Sequence, residues 1–404
     1  MKYRLLELLV CPECPDAELE LRAFRLDPEQ SPQEVMDGIL TCTMCGKLYP
    51  VVAGIPRLLP DSYHEHYAHL RAYRADLPEP EIMDKHIAEF AKTHKSTQGS
   101  FSYEWLRYQV TDTRENTKFF LETTGLGPRD LKGKRVLDAG CGMGRYLEIA
   151  AGWADEVIGI DLSRSVERAW RETAHRPSVH LVQGDIMKPP FRRESMDFVF
   201  SLGVLHHTPD TRRSFQSLCK LLRPDGRISI WVYRTFRPET ETALHKHIHD
   251  TVCEWISDAT RVFTTRMPHN LLHYFCYASL PLGGLAGMIY RNRLLRRLLW
   301  PALLVPFSTH ENWQVRLCDT FDWLAPKYQW KHTTQEVMQW FREEGLSDVR
   351  SFDKAVSVTG VMAAHSEAEV FVEASGGSPV DSVGATGRSP AYALQKETYA
   401  VAQN

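Results

Sequence analysis

VLDAGCGMGR, residues Val136 to Arg145, is the stretch on which the reading of this chain turns. Behind a short apolar run it packs three glycines, an acid and a cysteine. Arg135 to Ala139 reads as a buried strand and Tyr146 to Ala151 as the first turns of a helix, so the glycines lie at a strand-to-helix turn. A dinucleotide fingerprint needs G-x-G-x-x-G, its third glycine allowing close helix packing. Here Gly140, Gly142 and Gly144 are spaced G-x-G-x-G, and Arg145 stands where that fingerprint requires glycine. No Gly-Lys-Ser/Thr follows, so a phosphate loop does not fit either.

Downstream residues narrow the choice. Glu156 to Ile160 reads as a second strand ending in Asp161, where an acid can accept two hydrogen bonds from ribose hydroxyls. Val179 to Val182 reads as a third strand. Gly184-Asp185-Ile186 follows it, where a carboxylate can accept from an adenine amino group and a backbone N–H can meet a ring nitrogen. The fourth strand is MDFVFSLGVLHH, with no Asn-Pro-Pro-Tyr and no Pro-Cys nucleophile behind it, which argues against nucleobase methylation.

Taken in order, VLDAGCGMGR, VIGIDLS, VQGDIMKPPF, DFVFSLGVLHHTPD and LLRPDGRISIWVY resemble the motifs of class I S-adenosylmethionine-dependent methyltransferases. The nearest flavour is the group containing the ubiquinone and menaquinone C-methyltransferases. The resemblance implies an α/β fold with a doubly wound, seven-stranded Rossmann-like sheet, and S-adenosyl-L-methionine as cofactor. It implies that Asp138, Gly140, Cys141, Gly142 and Gly144 wrap the methionine end. Asp161, with Leu162 beside it, would hold the ribose, Asp185 and Ile186 the adenine, and Ser201, Leu202 and Gly203 the methionyl part. Cys141 also reads simply as a small buried filler.

His206 and His207 lie just past the carboxyl end of the fourth strand, where open sheets of this kind bind ligands. They are candidates for a base that takes the acceptor's proton, with pocket lining as the other reading.

Ahead of this core, Cys11-Pro-Glu-Cys14 and Cys42-Thr-Met-Cys45 form two CxxC knuckles with 27 residues between them. Two facing knuckles make a closed S4 site, which suits structural zinc. LELRAF reads as a strand between them and Pro28 to Gly38 as a loop. LLELLVCPEC with GILTCTMCGKLYPVVAGIPRLLP resembles the small zinc-ribbon family that activates tRNA, ribosomal and release-factor methyltransferases in trans. That resemblance implies a methyltransferase as the ribbon's partner, here fused downstream. The ribbon carries six Lys or Arg against nine Asp or Glu, so it lacks the basic face of a nucleic-acid module.

The expected organisation is a ribbon (1–60), a helical connector (61–132), a first core part (133–233), a helical cap insertion (234–332), a last core helix and hairpin (333–373), and a disordered tail (374–404). In the connector, the apolar period from Trp105 to Leu121 predicts one helix. Because the cap leaves the carboxyl end of the sheet, it is placed to choose the substrate. Leu271 to Tyr290 is 20 residues without a formal charge, followed by Arg291, Arg293, Arg296 and Arg297. A buried pair of cap helices is the first reading, a membrane-surface contact the second, and Pro281, Gly283, Gly284 and Gly287 make a poor span. CDTFDWLAPKYQWKH, with Asp319, Asp322 and His332, offers polar groups for acceptor recognition.

A net charge of -3 gives no overall attraction for nucleic acid. Reduced CxxC pairs without a cleavable leader predict a cytoplasmic protein. The expectation is an S-adenosylmethionine-dependent methyltransferase with a structural zinc, acting on a small-molecule, lipid-linked or saccharide acceptor, with no DNA partner, RNA disfavoured, and peripheral membrane contact through the cap as the second reading of that segment. An RNA or translation-factor methyltransferase and a cofactor-binding scaffold for a separate catalytic subunit stand as alternatives.

Overall fold

A computed structural model of the chain describes residues 1–28, 34–80, 85–108, 113–235, 244–299 and 306–364. The expected tail, from residue 374, lies outside the described residues. A short helix α1 (Tyr3–Leu6) leads into the ribbon strands β1 (Leu19–Asp27), β2 (Glu34–Cys42), β3 (Leu48–Val52) and β4 (Ile55–Leu58). The segment expected to loop as far as Gly38 is therefore strand from Glu34, because Leu26, Arg25 and Ala23 of β1 pair with Val35, Asp37 and Gly38.

The connector holds α2 (Ser62–Arg71), α3 (Lys85–Thr93), α4 (Lys95–Arg107), α5 (Thr113–Thr124) and α6 (Pro128–Leu131). The single helix expected from Trp105 to Leu121 is two. Tyr108 is extended at the end of α4, its hydroxyl bonded to His273 Nδ1 at 2.7 Å, and tertiary packing there overrides the apolar period.

The core follows the expected alternation: β5 (Arg135–Ala139), α7 (Arg145–Ala151), β6 (Glu156–Asp161), α8 (Val166–Thr173), β7 (Val179–Gly184), β8 (Met196–Leu202), a 3-10 turn at Leu205–His207, α9 (Thr211–Cys219) and β9 (Leu222–Val232). The cap supplies α10 (Leu244–Thr264), α11 (His269–Arg291), α12 (Arg293–Leu299) and α13 (Trp313–Leu324). The chain then returns to α14 (Thr334–Glu343) and the hairpin β10 (Leu346–Phe352) and β11 (Val356–Met362). Thr333 caps α14, its side chain accepting from the Glu336 N–H while Glu336 reaches back, the reciprocal pairing that fixes a helix start.

All the strands join one sheet in the order β1-β2-β3-β4-β7-β6-β5-β8-β9-β11-β10. From β7 to β10 this is the expected seven-stranded sheet. Strands β7, β6, β5, β8 and β9 are parallel, and β11 enters antiparallel between β9 and β10. The ribbon is not a separate layer but the continuation of that sheet. β4 pairs in parallel with β7, Arg57 opposite Gln183 and Leu58 opposite Gly184. Arg57 is buried at this seam, donating to Gln183 Oε1 at 2.9 Å and facing Glu167 at 3.5 Å. One apolar cluster runs through both parts, from Leu40 and Val51 to Ile160 and Val199.

Successive strands are added outward from β5 in one direction as far as β7, then in the other from β8. The loops after β5 and β8 consequently part to opposite faces, leaving a crevice at the carboxyl edge between them. Helices α4, α11 and α13 cover that crevice, and Tyr103, Trp105, Tyr108, Leu272, Leu317 and Phe321 pack together over it.

Candidate functional site

The glycine loop is shaped by contacts only glycine tolerates. Gly140 has φ +88°, and a Cβ there would meet the Val204 side chain at 2.4 Å. The loops after β5 and β8 thus touch backbone to side chain at the switch point. Gly144, at φ +93°, starts α7 with Ala169 at 3.1 Å from where its Cβ would stand. Above the loop, α4 brings Trp105 to 3.5 Å from where a Gly142 Cβ would stand, an ordinary contact, and Gln98 donates to the Leu162 carbonyl at 3.2 Å. Cys141 is buried against Gly159, its Sγ 3.0 Å from the position of an added Cβ.

Asp161 orders this loop. Its Oδ2 accepts from Gly142 N at 2.8 Å, while Oδ1 accepts from Ser163 N at 2.8 Å and Ser163 Oγ at 2.6 Å. Oδ1 is filled by the two Ser163 bonds, whereas Oδ2 keeps acceptor capacity for a further donor. Burial pushes the Asp161 carboxyl up, and the Ser163 and Gly142 bonds oppose it. Asp138 is more extreme: it is buried, its Oδ2 has no partner, and burial with the nearby Asp161 raises it well above the carboxylate range. Asp138, with Oδ2 unpartnered, beside the hydrogen-bonded Asp161 makes an acidic place at the switch point.

Asp185 caps the next turn, its Oδ1 accepting from Met187 N at 2.8 Å, and its Oδ2 faces His94 Nε2 of the connector at 3.4 Å. It lines a cleft of about 80 Å³ between ribbon and connector, with Tyr49, Phe90 and Lys188 among the walls. Ile186 is buried, and its carbonyl accepts from Ser217 at 2.5 Å. Ser201 is fully buried with its hydroxyl committed to the Ala139 carbonyl at 2.7 Å, tying β8 to β5. Leu202 is buried beside it, and Gly203, at φ +82°, donates to the Trp231 carbonyl at 3.0 Å.

His206 and His207 are both buried, in the turn after β8. His207 Nδ1 lies 2.9 Å from the Tyr328 carbonyl. A carbonyl can only accept, so Nδ1 carries the proton and Nε2 keeps the lone pair in the neutral ring. Nε2 faces Asp322 Oδ1 at 3.8 Å, too far for a direct bond. Burial lowers the His207 pKa, with Asp322 and the Tyr328 bond opposing. His206 stacks on Tyr233 at 3.9 Å with neither nitrogen partnered, and burial drives it well below the usual range. Trp330 N donates to the His206 carbonyl and its ring N–H to the Thr208 carbonyl, both at 2.9 Å, so the end of the cap clamps this turn.

Three contributors escape the motif reading. Tyr233 donates to Asp322 Oδ2. Glu104 of α4 is completely buried, with Oε2 unpartnered and Oε1 3.5 Å from Cys318 Sγ; burial and then Asp322 raise its carboxyl far up. Arg145 lays its guanidinium over Trp105 at 5.2 Å and Tyr146 at 4.7 Å. Asp322 was visible as one acid of the cap, and Arg145 as the odd residue of its motif. Glu104 carried no signal, because it reaches the crevice from a connector helix.

In the ribbon, the thiol sulfurs of Cys11, Cys14, Cys42 and Cys45 all lie within 4.8 Å of one another. Cys11 and Cys45 are 3.9 Å apart, against about 3.8 Å for two thiolates on one tetrahedral zinc with bonds of about 2.3 Å. The donor set is closed and all sulfur, which suits a structural ion. Among the described residues it is the only group of this kind, and His69, one of the connector histidines, instead bonds Asp37 at 3.0 Å.

Residues 137–230 match the model of the methyltransferase domain family. The crevice therefore belongs to a methyltransferase domain. Residues 2–54 match the model of Trm112p-like proteins, so the chain joins that ribbon to the methyltransferase domain in one sheet. A demethylmenaquinone methyltransferase of Staphylococcus aureus is 36% identical over 101 residues, covering 24% of this chain and 42% of that protein. A phthiotriol/phenolphthiotriol dimycocerosates methyltransferase of Mycobacterium ulcerans is 34% identical over 141 residues, covering 34% of this chain and 53% of that protein. The chain thus spans about half the length of the curated relatives it matches. Among solved structures, the complex of the Haloferax volcanii Trm112 methyltransferase activator with a methyltransferase is 13% identical, covering 69% of this chain and 94% of that one, with a TM-score of 0.35.

Proposed function

We propose that the methyltransferase domain transfers a methyl group from S-adenosylmethionine to a small, lipid-like acceptor held between the sheet edge and the cap. The carrying observation is the convergence of the Gly140–Gly144 loop, Asp161 and the unpartnered Asp138 at the switch point. When bound, the cofactor supplies an electrophilic methyl on a sulfonium. Asp161 would accept from the ribose hydroxyls, Asp185 and Ile186 would face the adenine, and Asp138 would lie toward the cationic methionine end.

Methyl transfer from a sulfonium gains much of its rate from alignment and exclusion of water. Buried Phe321 and half-buried Trp105, Trp231 and Tyr233 suit both. His207 Nε2, with its tautomer set by Tyr328, is the group placed to take a proton from a hydroxyl or carbon acid. An imidazolium formed there would meet the Asp322 carboxylate. His206 lacks such an orienting bond and serves as a wall. Both curated relatives are named for apolar acceptors, and the aromatic side chains packed over the crevice suit an acceptor of that kind.

The matched ribbon model favours a second reading, methylation of RNA or a translation factor. Here, however, the ribbon edge is already spent on β7 of the same chain. The deciding experiment is release of S-adenosylhomocysteine with isoprenoid quinol acceptors against tRNA and ribosomal RNA. Turnover with the quinols supports the proposal; turnover with RNA alone replaces it.

A further inference from the structure

Helix α11 is apolar on both its buried and its exposed side. A helix on a protein surface normally turns its apolar stripe inward and its charges outward. The inward face of α11 carries Leu272, His273, Cys276, Ser279, Gly283, Ala286 and Gly287, most of them small. The two glycines let it settle on the cap backbone: a Cβ on Gly283 would stand 2.4 Å from the Ser308 carbonyl, and one on Gly287 2.6 Å from that of Thr309. Its outward face presents Leu271, Tyr274, Phe275, Leu282, Leu285 and Met288, between 37% and 67% exposed. From Leu271 to Tyr290 that face has no charged residue. The expected pair of cap helices is present as α11 and α12, but it is not buried: the 23-residue α11 is open on one side.

The charges within this stretch of chain all have one sign, and Glu311 stands just beyond it. Residues 259 to 310 contain six arginines and not one Asp, Glu or Lys, in a chain whose net charge is -3. Arg261 is buried, bonded to the Trp323 and Pro326 carbonyls. Arg266, Arg291 and Arg293 are exposed, Arg291 facing Glu311 at 3.4 Å. Tyr277, Tyr290 and Trp313 stand exposed beside the apolar residues, amphipathic rings of the kind that seat at a headgroup boundary. No helix among the described residues is long and apolar enough to cross a membrane. An uncharged apolar face, an aromatic margin and an arginine rim together match a helix lying in the interface of an anionic bilayer.

We infer that α11 is a membrane-surface helix, docking the cap on anionic phospholipid with its apolar face in the acyl boundary and its arginines on the headgroups. It packs on α13, whose Asp322 and Cys318 face the crevice. The docked face thus backs the site, and its purpose rests on the lipid-like acceptor proposed above.

The test is flotation of the full-length protein with vesicles of phosphatidylcholine mixed equally with phosphatidylglycerol, and with phosphatidylcholine alone. The wild type is expected to float with the anionic vesicles and to be released by high salt. The Leu282→Glu/Leu285→Glu variant should lose about tenfold or more in vesicle affinity, and Arg293→Glu should lose it on anionic vesicles only. S-adenosylhomocysteine binding, measured by calorimetry on each variant, should be unchanged, which separates failure of this surface from failure of the methyl-transfer site. A wild type that does not float, or a double variant that floats equally well, would overturn the inference. So would a wild type that is dimeric and lipid-indifferent while the double variant is monomeric, since the face would then serve a second copy of the chain.

Discussion

Tyr233, one residue past β9, donates its hydroxyl to Asp322 Oδ2 of α13 at 2.5 Å, and Asp322 Oδ1 looks at His207 Nε2. The core and the cap thus share one acid at the place where a proton would be taken. Asp322→Asn keeps the size and removes the charge that would steady an imidazolium. Turnover should fall about 10² to 10⁴-fold, the usual contribution of a positioned acid or base, while S-adenosylhomocysteine affinity stays within about twofold.

The pH profile follows from the same group. His207 works as a base only when neutral, so activity rises with pH through its pKa, which burial holds below 6.5. Asp322 opposes that lowering; without its charge the acid limb must move further down in pH. An acid limb that moves up in Asp322→Asn, or a profile unchanged in His207→Ala, removes His207 as the base.

Glu104 is a buried acid whose carboxyl is pushed well up by burial and then by Asp322. Its folded pKa lies above its unfolded value, so its contribution to stability is present below the unfolded pKa near 4.3 and is lost as pH rises toward the folded one. Glu104→Gln cannot ionise and should melt higher than wild type at pH 8, with the difference shrinking toward pH 5. Thermal melts at the two pH values check this, and a variant that melts lower at pH 8 contradicts it.

The ribbon holds the loop that Asp185 begins. Val10 N donates to the Pro190 carbonyl at 3.0 Å, Arg192 N to the Leu8 carbonyl at 2.9 Å, and Lys188 meets Glu13 at 3.1 Å. Treatment with a chelator, which would remove an ion held by the four cysteines, or Cys42→Ser, should therefore weaken S-adenosylhomocysteine binding as well as lower Tm, since metal binding is folding energy in a ribbon. Loss of stability with unchanged ligand affinity would show that the two parts share a sheet without sharing function.

Gly140 shows what the sequence made legible. Its spacing alone placed a strand-to-helix turn, and the φ of +88° with Val204 across the switch point is the reason glycine is needed. Strands β5 to β9, the cysteine site and the positions of Asp161 and Asp185 could be read because each depends on local period and spacing. Two features could not. Pairing of β4 with β7 joins residues more than a hundred positions apart, and no local pattern encodes it. Glu104 acts only because α4 folds over the loop, a tertiary placement that a helical period does not reveal. α11 misled for a further reason: an apolar run reads as core whether it faces protein or lipid.

The central claim is that Asp161 and the glycine loop form a methyl-donor site. Titration calorimetry of S-adenosylhomocysteine into the full-length protein and its Asp161→Ala variant tests it most directly. One saturable site is expected in the wild type, weakened about tenfold to a hundredfold in the variant, as loss of hydrogen bonds to an ionised acceptor implies. No binding to the wild type, or equal affinity in the two proteins, would contradict the account.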